Sequence, residues 1–199
     1  MGIKFISSRA NPVVLYGKIH GHDPLSDGQA LGVHSEGTDV SLQITDYIHH
    51  LIHEGFMFSL SHMEEGIANG GSMDMLFVVG PDHILQWTHE CLASKTFRIE
   101  IYEGPTVSDL GTALKVVNMN RTSPNNLDTV AYTDPTVTDN GLKLFEQVLP
   151  GGGNQPSSGG QSRPNLEWLF AKSTVIYMKM INISGAAGDA SCIVNMYET

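Results

Sequence analysis

Histidine is the residue type in this chain with the clearest potential for chemistry. Nine His residues occur among 199, and the densest group lies in the segment DYIHHLIHEG, which is followed by SLSH. If residues 46–54 form a helix, His49 and His53 lie on one face at positions i and i+4, a spacing that zinc ligands use. The sequence therefore offers a candidate metal site, with His62 as a third ligand.

The order of residues around these histidines does not match a metalloprotease. A zincin carries HExxH, in which the Glu after the first His is the general base, whereas Glu54 follows the last His. An inverzincin needs HxxEH, and the final pair is reversed in HLIHE at 50–54. In the alternative interpretation, Ile48, Leu51 and Ile52 bury one side of a short helix and the imidazoles form hydrogen bonds. We expect no cofactor and no obligatory metal, while a structural or adventitious zinc remains an open alternative.

Other catalytic signatures are missing from the sequence. There is no GxSxG, P-loop, GxGxxG or Cys–His nucleophile pattern, and the glycines at 151–153 lack the Lys-Ser/Thr that a phosphate-binding loop needs. Cys91 and Cys192 form no CxxC pair, and we expect them to be two buried thiols. These patterns favour a binding or structural module over an enzyme.

Length and charge restrict the possible classes further. A chain of 199 residues and 21.6 kDa can form one domain, with or without an arm, whose core needs no disulfide or metal. Lys and Arg number 11 against 21 Asp and Glu, which gives a net charge of -10 without any basic run. Direct binding to nucleic acid is therefore not expected. No apolar run approaches the roughly 18 residues of a membrane span.

Most segments of the chain that would position the candidate His and Cys residues have the sequence pattern of β-strands. In TFRIEIYEG, Phe97, Ile99 and Ile101 alternate with Arg98, Glu100 and Tyr102, which predicts a strand with one buried face. We predict an all-β fold, an antiparallel β-sandwich or jelly-roll-like domain over residues 41–199, with one short helix near 46–54. Turn residues separate the other strand segments, which are FMFSLSH, MLFVVG, HILQWTHECL, ALKVVNMN, GLKLFEQVL, STVIYMKMINI and SCIVNMYE.

Residues 173–183 are apolar on both faces of the predicted strand. Such a strand is either central in a two-layer core or pressed against another subunit, and the second alternative predicts an oligomer. Trp87 and Trp168 lie within apolar segments, so we expect them in the core and not on an exposed sugar-binding platform.

Two stretches lack the strand pattern of the rest of the chain. Residues 1–40 are predicted to be an N-terminal arm, in which only VVLYGKI resembles a strand. Residues 150–164 are dense in Gly, Ser and Pro and are predicted to be a mobile surface loop.

Several sequence segments, taken together, resemble those of one group of proteins. They are YIHHLIHEGFMFSLSH, MLFVVGP, FRIEIYEGPTVSDLGTALKVVNMNR and YTDPTVTDNGLKL, which cover about residues 42–145. The set resembles virion structural proteins of tailed bacteriophages, of the capsid decoration or head cement type. The resemblance implies a non-enzymatic β-sandwich protein that is multimeric on a phage particle.

The same resemblance marks a set of motif residues. We expect Gly55 and Gly104 to be turn residues, and Arg121 to clamp a carboxylate or several carbonyls at a strand end. We expect all of them to specify the fold or an interface: His49, His50, His53, Glu54, Gly55, Glu103, Gly104, Asn118, Asn120 and Arg121.

The expected function is that of a capsid decoration protein, made in the host cytoplasm and located on the outer surface of the virion. Its expected partners are the major capsid protein and further copies of itself; the resemblance implies a homotrimer, because cement proteins often occupy local three-fold axes. The alternatives are a tail or baseplate component and, in a different class, a carbohydrate-binding or metal-dependent module. The fold alone does not separate these functions.

Overall fold

A computed structural model describes residues 33–36, 39–42, 47–151 and 167–198 of the chain. The chain divides into two compact units, residues 1–50 and residues 51–199. In the first unit, strand β1 (Val33–Glu36) pairs antiparallel with β2 (Asp39–Leu42), and Glu36 lies opposite Asp39. This hairpin corrects the expectation that VVLYGKI is the only strand of the arm; four-residue strands are too short to give a clear alternating pattern. VVLYGKI itself and most of the 150–164 loop lie outside the described residues.

The predicted helix near residues 46–54 is confirmed as α1 (Tyr47–Glu54). Leu51 is buried and, with the partly buried Ile52, packs against Met57 and Tyr197. Ile48 is 45% exposed, so the apolar side of the helix is narrower than expected. Within the described residues, no helix has the length and apolar character that crossing a membrane requires.

The second unit contains two large antiparallel sheets. The first has five strands in the order β13-β5-β15-β3-β9. The second has six strands in the order β12-β6-β14-β4-β10-β8. The strands of the first sheet are β3 (Phe58–Ile67), β5 (Leu85–Ala93), β9 (Val117–Asn118), β13 (Trp168–Phe170) and β15 (Gly188–Glu198). Those of the second are β4 (Ser72–Val78), β6 (Phe97–Glu103), β8 (Thr112–Ala113), β10 (Val130–Thr133), β12 (Leu142–Leu149) and β14 (Val175–Asn182). A separate ribbon pairs β7 (Thr106–Asp109) with β11 (Thr136–Asp139).

The inward faces of the two sheets form one hydrophobic core, which confirms the all-β sandwich. Trp87 of β5 is fully buried, and its ring meets Phe77 and Phe170 edge to face at 4.7 and 4.9 Å between centroids. Trp168 is partly buried against the same core. Both tryptophans are therefore packed as predicted, and neither forms an exposed platform.

Strand β6 is buried on both faces, which corrects the expectation of one buried face. Phe97, Ile99 and Ile101 point into the core as expected. On the opposite face, Glu100 is 5% and Tyr102 is 6% exposed. The extra burial arises because Tyr102 packs beneath the β7–β11 ribbon, a cover that one strand's alternation cannot reveal.

Strand β14, the segment that is apolar on both faces, lies in the middle of the six-stranded sheet between β6 and β4. Its inner side chains, such as Met178, enter the main core. On its outer face, Tyr177 and Val175 pack with Val107 and Val137 of the ribbon. The first of the two predicted alternatives is therefore correct, and these residues no longer argue for an oligomer.

The segment ALKVVNMN is not one strand, contrary to the prediction. Thr112–Ala113 pair with β10 in the six-stranded sheet, and Val117–Asn118 pair with β3 in the five-stranded sheet. The chain crosses from one layer to the other between them. The continuous apolar character of the segment arises because Leu114 and Val116 pack against the core during the crossing.

Candidate functional site

The motif residues gather at two places, and the first is the C-terminal end of α1. The N–H of Gly55 donates to the carbonyl of Ile52 at 3.1 Å, and the N–H of Phe56 donates to that of Leu51 at 2.9 Å. Gly55 has a φ of +75°, and a Cβ at this position would overlap the side chain of Ser123. Gly55 is therefore a helix-terminating turn residue, as expected.

Three asparagine side chains, one from β9 and two from the segment after it, complete this end of the helix. Asn120 Nδ2 donates to the carbonyl of His53 at 2.8 Å, and Asn118 Nδ2 donates to that of Gly55 at 2.8 Å. Asn125 Nδ2 lies 3.4 Å from the carbonyl of Glu54 and 3.2 Å from that of Gly55. The last carbonyls of a helix have no partner within the helix, and here a distant loop supplies the donors. We call these side chains and carbonyls the helix-cap cluster.

The loop that supplies the donors is held in place by its own hydrogen bonds. The side-chain oxygen of Asn118 accepts the N–H of Asn120 at 2.9 Å, and that of Asn120 accepts both the N–H and the hydroxyl of Thr122, at 3.1 and 2.7 Å. Arg121 Nη1 donates a long bond of 3.4 Å to the carbonyl of Asn118. Arg121 thus contacts one carbonyl at a strand end and is otherwise exposed, which is less than the expected clamp.

The helix-cap cluster predicts that replacing Asn118 by alanine will destabilise the chain by about 2 kcal/mol, because buried polar groups are left without partners. Asn118 is 8% exposed and is bonded to three backbone groups, through Gly55, Asn120 and Asn125. Urea unfolding followed by circular dichroism measures the change. Asn126 is the matched control, since it is exposed in the same loop and bonds only locally to Pro124. An Asn118→Ala variant no less stable than Asn126→Ala would contradict the assignment.

The imidazoles are not gathered into a metal centre in the described part of the chain. His49, His50 and His53 lie on α1, exposed to solvent, and Glu54 beside them is also exposed. His62 lies in β3, where its Nε2 is 3.2 Å from Glu64 Oε1 and 3.0 Å from Thr133 Oγ1. Among the residues described, no group of three His, Cys, Asp or Glu side chains is placed to hold a metal ion. The combination of His49, His53 and His62 therefore has no structural support.

The second place is the turn that leads from Glu103, the last residue of β6, through Gly104 into the β7–β11 ribbon. An internal repeat covers this region. EGPTVSDLG at 103–111 matches TDPTVTDNG at 133–141 in the pattern PTV-S/T-D-x-G. Gly104 and Asp134 occupy equivalent positions, and both have a positive φ, of 68° and 55°. As expected, Gly104 is a turn residue, and its N–H donates to the carbonyl of Val175 at 2.8 Å. In the second copy of the repeat, Asp134 forms the bend and Thr136–Asp139 form strand β11.

The two copies of the repeat contact each other reciprocally. Ser108 Oγ donates to the carbonyl of Thr136 at 3.3 Å, and Thr138 Oγ1 donates to that of Thr106 at 3.1 Å. Within each copy, the N–H of the last glycine donates to the side chain of the Asp two residues earlier, at 3.0 Å for Gly111 and 3.1 Å for Gly141. The repeat was visible in the sequence, and comparing the chain with itself would have found this ribbon.

A buried carboxylate network, which no sequence motif indicated, lies on the outer face of the six-stranded sheet. Glu100 Oε2 accepts the hydroxyl of Tyr102 at 2.7 Å, while Oε1 accepts Lys143 Nζ at 2.8 Å and lies 3.0 Å from Arg98 Nε. Burial raises the pKa of Glu100, but the bonds from Lys143 and Tyr102 and the two positive charges outweigh it, so that its pKa is lowered. The network connects edge strand β12 to β6.

Two shallow grooves border the helix-cap cluster, with volumes of about 220 and 230 Å³. They share Phe58, Asn125 and Asn126. Small-molecule sites usually enclose about 300–1,000 Å³. Glu198 lines the first groove, but its carboxylate is occupied by the N–H groups of Asp128 and Thr129, at 2.9 and 2.8 Å. The grooves therefore do not resemble a substrate pocket.

Most of the motif residues thus serve internal architecture. The helix-cap cluster contains His53, Glu54, Gly55, Asn118 and Asn120, with Arg121 beside it, whereas Glu103 and Gly104 form the turn from β6 into the ribbon. Asn125, Ser123 and the Glu100 network complete these arrangements, and no motif in the sequence pointed to them. No model of a known protein family matches the chain, and no curated protein sequence matches it either.

Proposed function

We propose that the chain is a structural protein of a tailed-phage particle and decorates the outer surface of the head. The proposed partners are the major capsid protein and further copies of the chain, with no catalytic role and no cofactor. The homotrimer is proposed from the resemblance alone. The proposal rests on the resemblance over residues 42–145 and on the way in which the chain presents a strand for pairing.

The open edge of β12 is the observation that carries the proposal. β12 has eight residues, and within the part of the chain that the structure describes it pairs on one side only, with β6. The other terminal strands of the two sheets, β8, β9 and β13, have only two, two and three residues. Leu142 and Val148 of β12 are 64% and 50% exposed. A long edge with unpaired backbone groups and exposed apolar side chains suits the addition of a strand from a neighbouring protein.

Charge supports a position outside the capsid shell. The chain carries a formal charge of -10. Packaged DNA repels such a protein, because its phosphates require neutralising cations, whereas an outer position carries no such cost. We propose that VVLYGKI at 13–19 of the arm supplies an added strand to the sheet edge of a neighbour. Attachment by backbone pairing and apolar contact depends only weakly on salt.

The proposal is tested by mixing the full chain, or a chain that lacks residues 1–40, with undecorated capsids at 50 and 500 mM salt. Sedimentation of the capsids measures the bound protein. We expect the full chain to bind with less than a threefold loss at high salt, and the truncated chain to bind at least tenfold more weakly. Val148→Lys, which places a charge on the edge of β12, is expected to weaken attachment if that edge accepts the strand.

The outcomes separate the parts of the proposal. Failure of the full chain to bind capsids at either salt concentration would contradict the decoration function. Equal binding by the truncated chain would show that the arm is not the anchor, and release by moderate salt would show that charge holds the protein. Circular dichroism of the truncated chain and of Val148→Lys verifies that each variant is folded.

A further inference from the structure

The two cysteines, which are 101 positions apart in the sequence, face each other across neighbouring strands. Cys91 of β5 is the direct register partner of Cys192 of β15. Both side chains point into the core, each residue is 1% exposed, and the two sulfur atoms lie 2.7 Å apart as free thiols. We propose that Cys91 and Cys192 are an oxidation site at which an intrachain disulfide closes and locks β5 to β15.

The strand geometry already suits this bond. Directly opposed residues of an antiparallel pair have Cα atoms about 4.5–5.5 Å apart, and a disulfide joins Cα atoms about 4.4–6.8 Å apart. The paired strands therefore need no change of register to form the bond. Because each strand lies inside the five-stranded sheet, the bond joins two strands that are already hydrogen bonded along their length.

The oxidant in the proposal is a small disulfide such as oxidised glutathione. One thiol, as its thiolate, attacks the oxidant; a mixed disulfide forms, and one reduced glutathione leaves. The second thiol then attacks the protein sulfur of the mixed disulfide, which forms the Cys91–Cys192 bond and releases a second reduced glutathione. Two protein thiols are thus oxidised and one small disulfide is reduced to two thiols.

Burial controls the rate of this reaction in both directions. Both thiols are buried, and burial together with the hydrogen bond to Cys192 raises the pKa of Cys91, so that little reactive thiolate is present. Oxidation therefore proceeds through transient opening of the sheet. Once formed, the bond is shielded from reductants by the same packing, which makes the oxidised state persistent.

The test uses the full chain, fully reduced, and incubates it with oxidised glutathione in buffer and in urea below the unfolding midpoint. We expect a mass loss of about 2 Da, the loss of both alkylatable thiols, faster reaction in urea, and a melting temperature raised by about 10 °C. The rise follows because the crosslink restricts the unfolded chain, and dithiothreitol applied under unfolding conditions should reverse it.

Cys91→Ala and Cys192→Ala serve as matched controls that remove one partner each. Each is expected to stop at a single glutathione adduct in urea and to show no rise in melting temperature. The proposal is wrong if the unmodified chain accumulates one glutathione on each cysteine instead of losing mass. It is also wrong if the oxidised chain melts at or below the temperature of the reduced chain, because the bond would then strain the sheet.

Discussion

Replacing Gly111 with alanine is expected to lower the free energy of unfolding by about 3–4 kcal/mol, through backbone strain and overpacking together. Gly111 has a φ of +85°, a conformation that disfavours any side chain. A Cβ at this position would overlap the carbonyl oxygen of Thr133 and lie 2.8 Å from the carbonyl carbon of Asp134. Both are backbone atoms, which cannot move aside as a flexible side chain can. Urea unfolding at equilibrium, followed by circular dichroism, measures the loss.

Two other glycines of the repeat make the prediction specific. Gly141 is the equivalent of Gly111, and a Cβ there would overlap the carbonyl oxygen of Glu103 and lie 2.7 Å from the carbonyl carbon of Gly104. Gly141→Ala should therefore cost about as much as Gly111→Ala. Gly104 has a φ of +68°, but among the described residues no atom lies within 4 Å of the position that a Cβ would take, so Gly104→Ala should cost only about 1 kcal/mol. Equal losses at all three positions would contradict the close contact between the repeats.

The repeat also explains the order of strands in the six-stranded sheet. In the order β12-β6-β14-β4-β10-β8, the strands that precede the two repeats, β6 and β10, occupy equivalent positions from the two ends. The strands that follow the repeats, β12 and β8, each pair with the strand that precedes the other repeat. The two halves differ in one respect, since β12 has eight residues and β8 has two. The long edge of β12 therefore arises because the chain continues along the sheet after the second repeat. After the first repeat, the chain leaves the sheet at the end of β8 and runs to β9 and the helix-cap cluster.

Local patterns in the sequence were sufficient to predict the long elements. The alternation in residues 97–103 predicted β6, and the apolar spacing in 46–54 predicted α1, because these signals depend on near neighbours along the chain. The hairpin of β1 and β2 has strands of four residues, in which alternation is too short to recognise. The second covered face of β6 depends on the ribbon, and its burial could not be read from β6 alone.

The candidate site was predictable as a set of residues but not as an arrangement. The sequence segments around His53 and Asn120 both belong to the set that carries the resemblance. Nothing in their spacing, however, shows that the side chain of Asn120 caps the carbonyl of His53, 67 positions earlier in the chain. Histidines at positions i and i+4 of a helix suggested a metal because the pattern is compatible with one. In the described structure His62, the expected third ligand, instead lies on β3 with its ring next to Glu64 of the same strand and Thr133 of β10.

Acidification from about pH 6.5 to pH 4 is expected to lower the free energy of unfolding through His89, and the loss should reach about 3 kcal/mol at pH 4. His89 is 5% exposed on the core face of β5, and burial lowers its pKa to about 4 from the ordinary value of 6.5. Its Nδ1 has no hydrogen-bond partner among the described residues, and its ring meets Phe145 edge to face at 5.9 Å. Below about pH 6.5 the imidazole of His89 binds a proton in the unfolded chain, whereas in the folded chain it stays neutral until about pH 4. The stability that the neutral, buried imidazole contributes is therefore complete above the unfolded pKa and is lost as the pH falls toward 4.

Replacing His89 with leucine separates this effect from the titration of the carboxylates. Urea unfolding of the unmodified chain and of His89→Leu at pH 7.5, 6.0 and 4.5 gives the stability difference between them at each pH. Because the carboxylates titrate in both chains, the difference should shift by about 2 to 3 kcal/mol in favour of the variant on acidification. His83→Leu, at a side chain that is 50% exposed, is the matched control for the substitution itself and should change the free energy of unfolding little at pH 7.5. If the difference between the unmodified chain and His89→Leu is the same at all three pH values, His89 accepts a proton as readily in the folded chain as in the unfolded one. The assignment of His89 as a buried imidazole that stays uncharged in the folded chain would then be wrong.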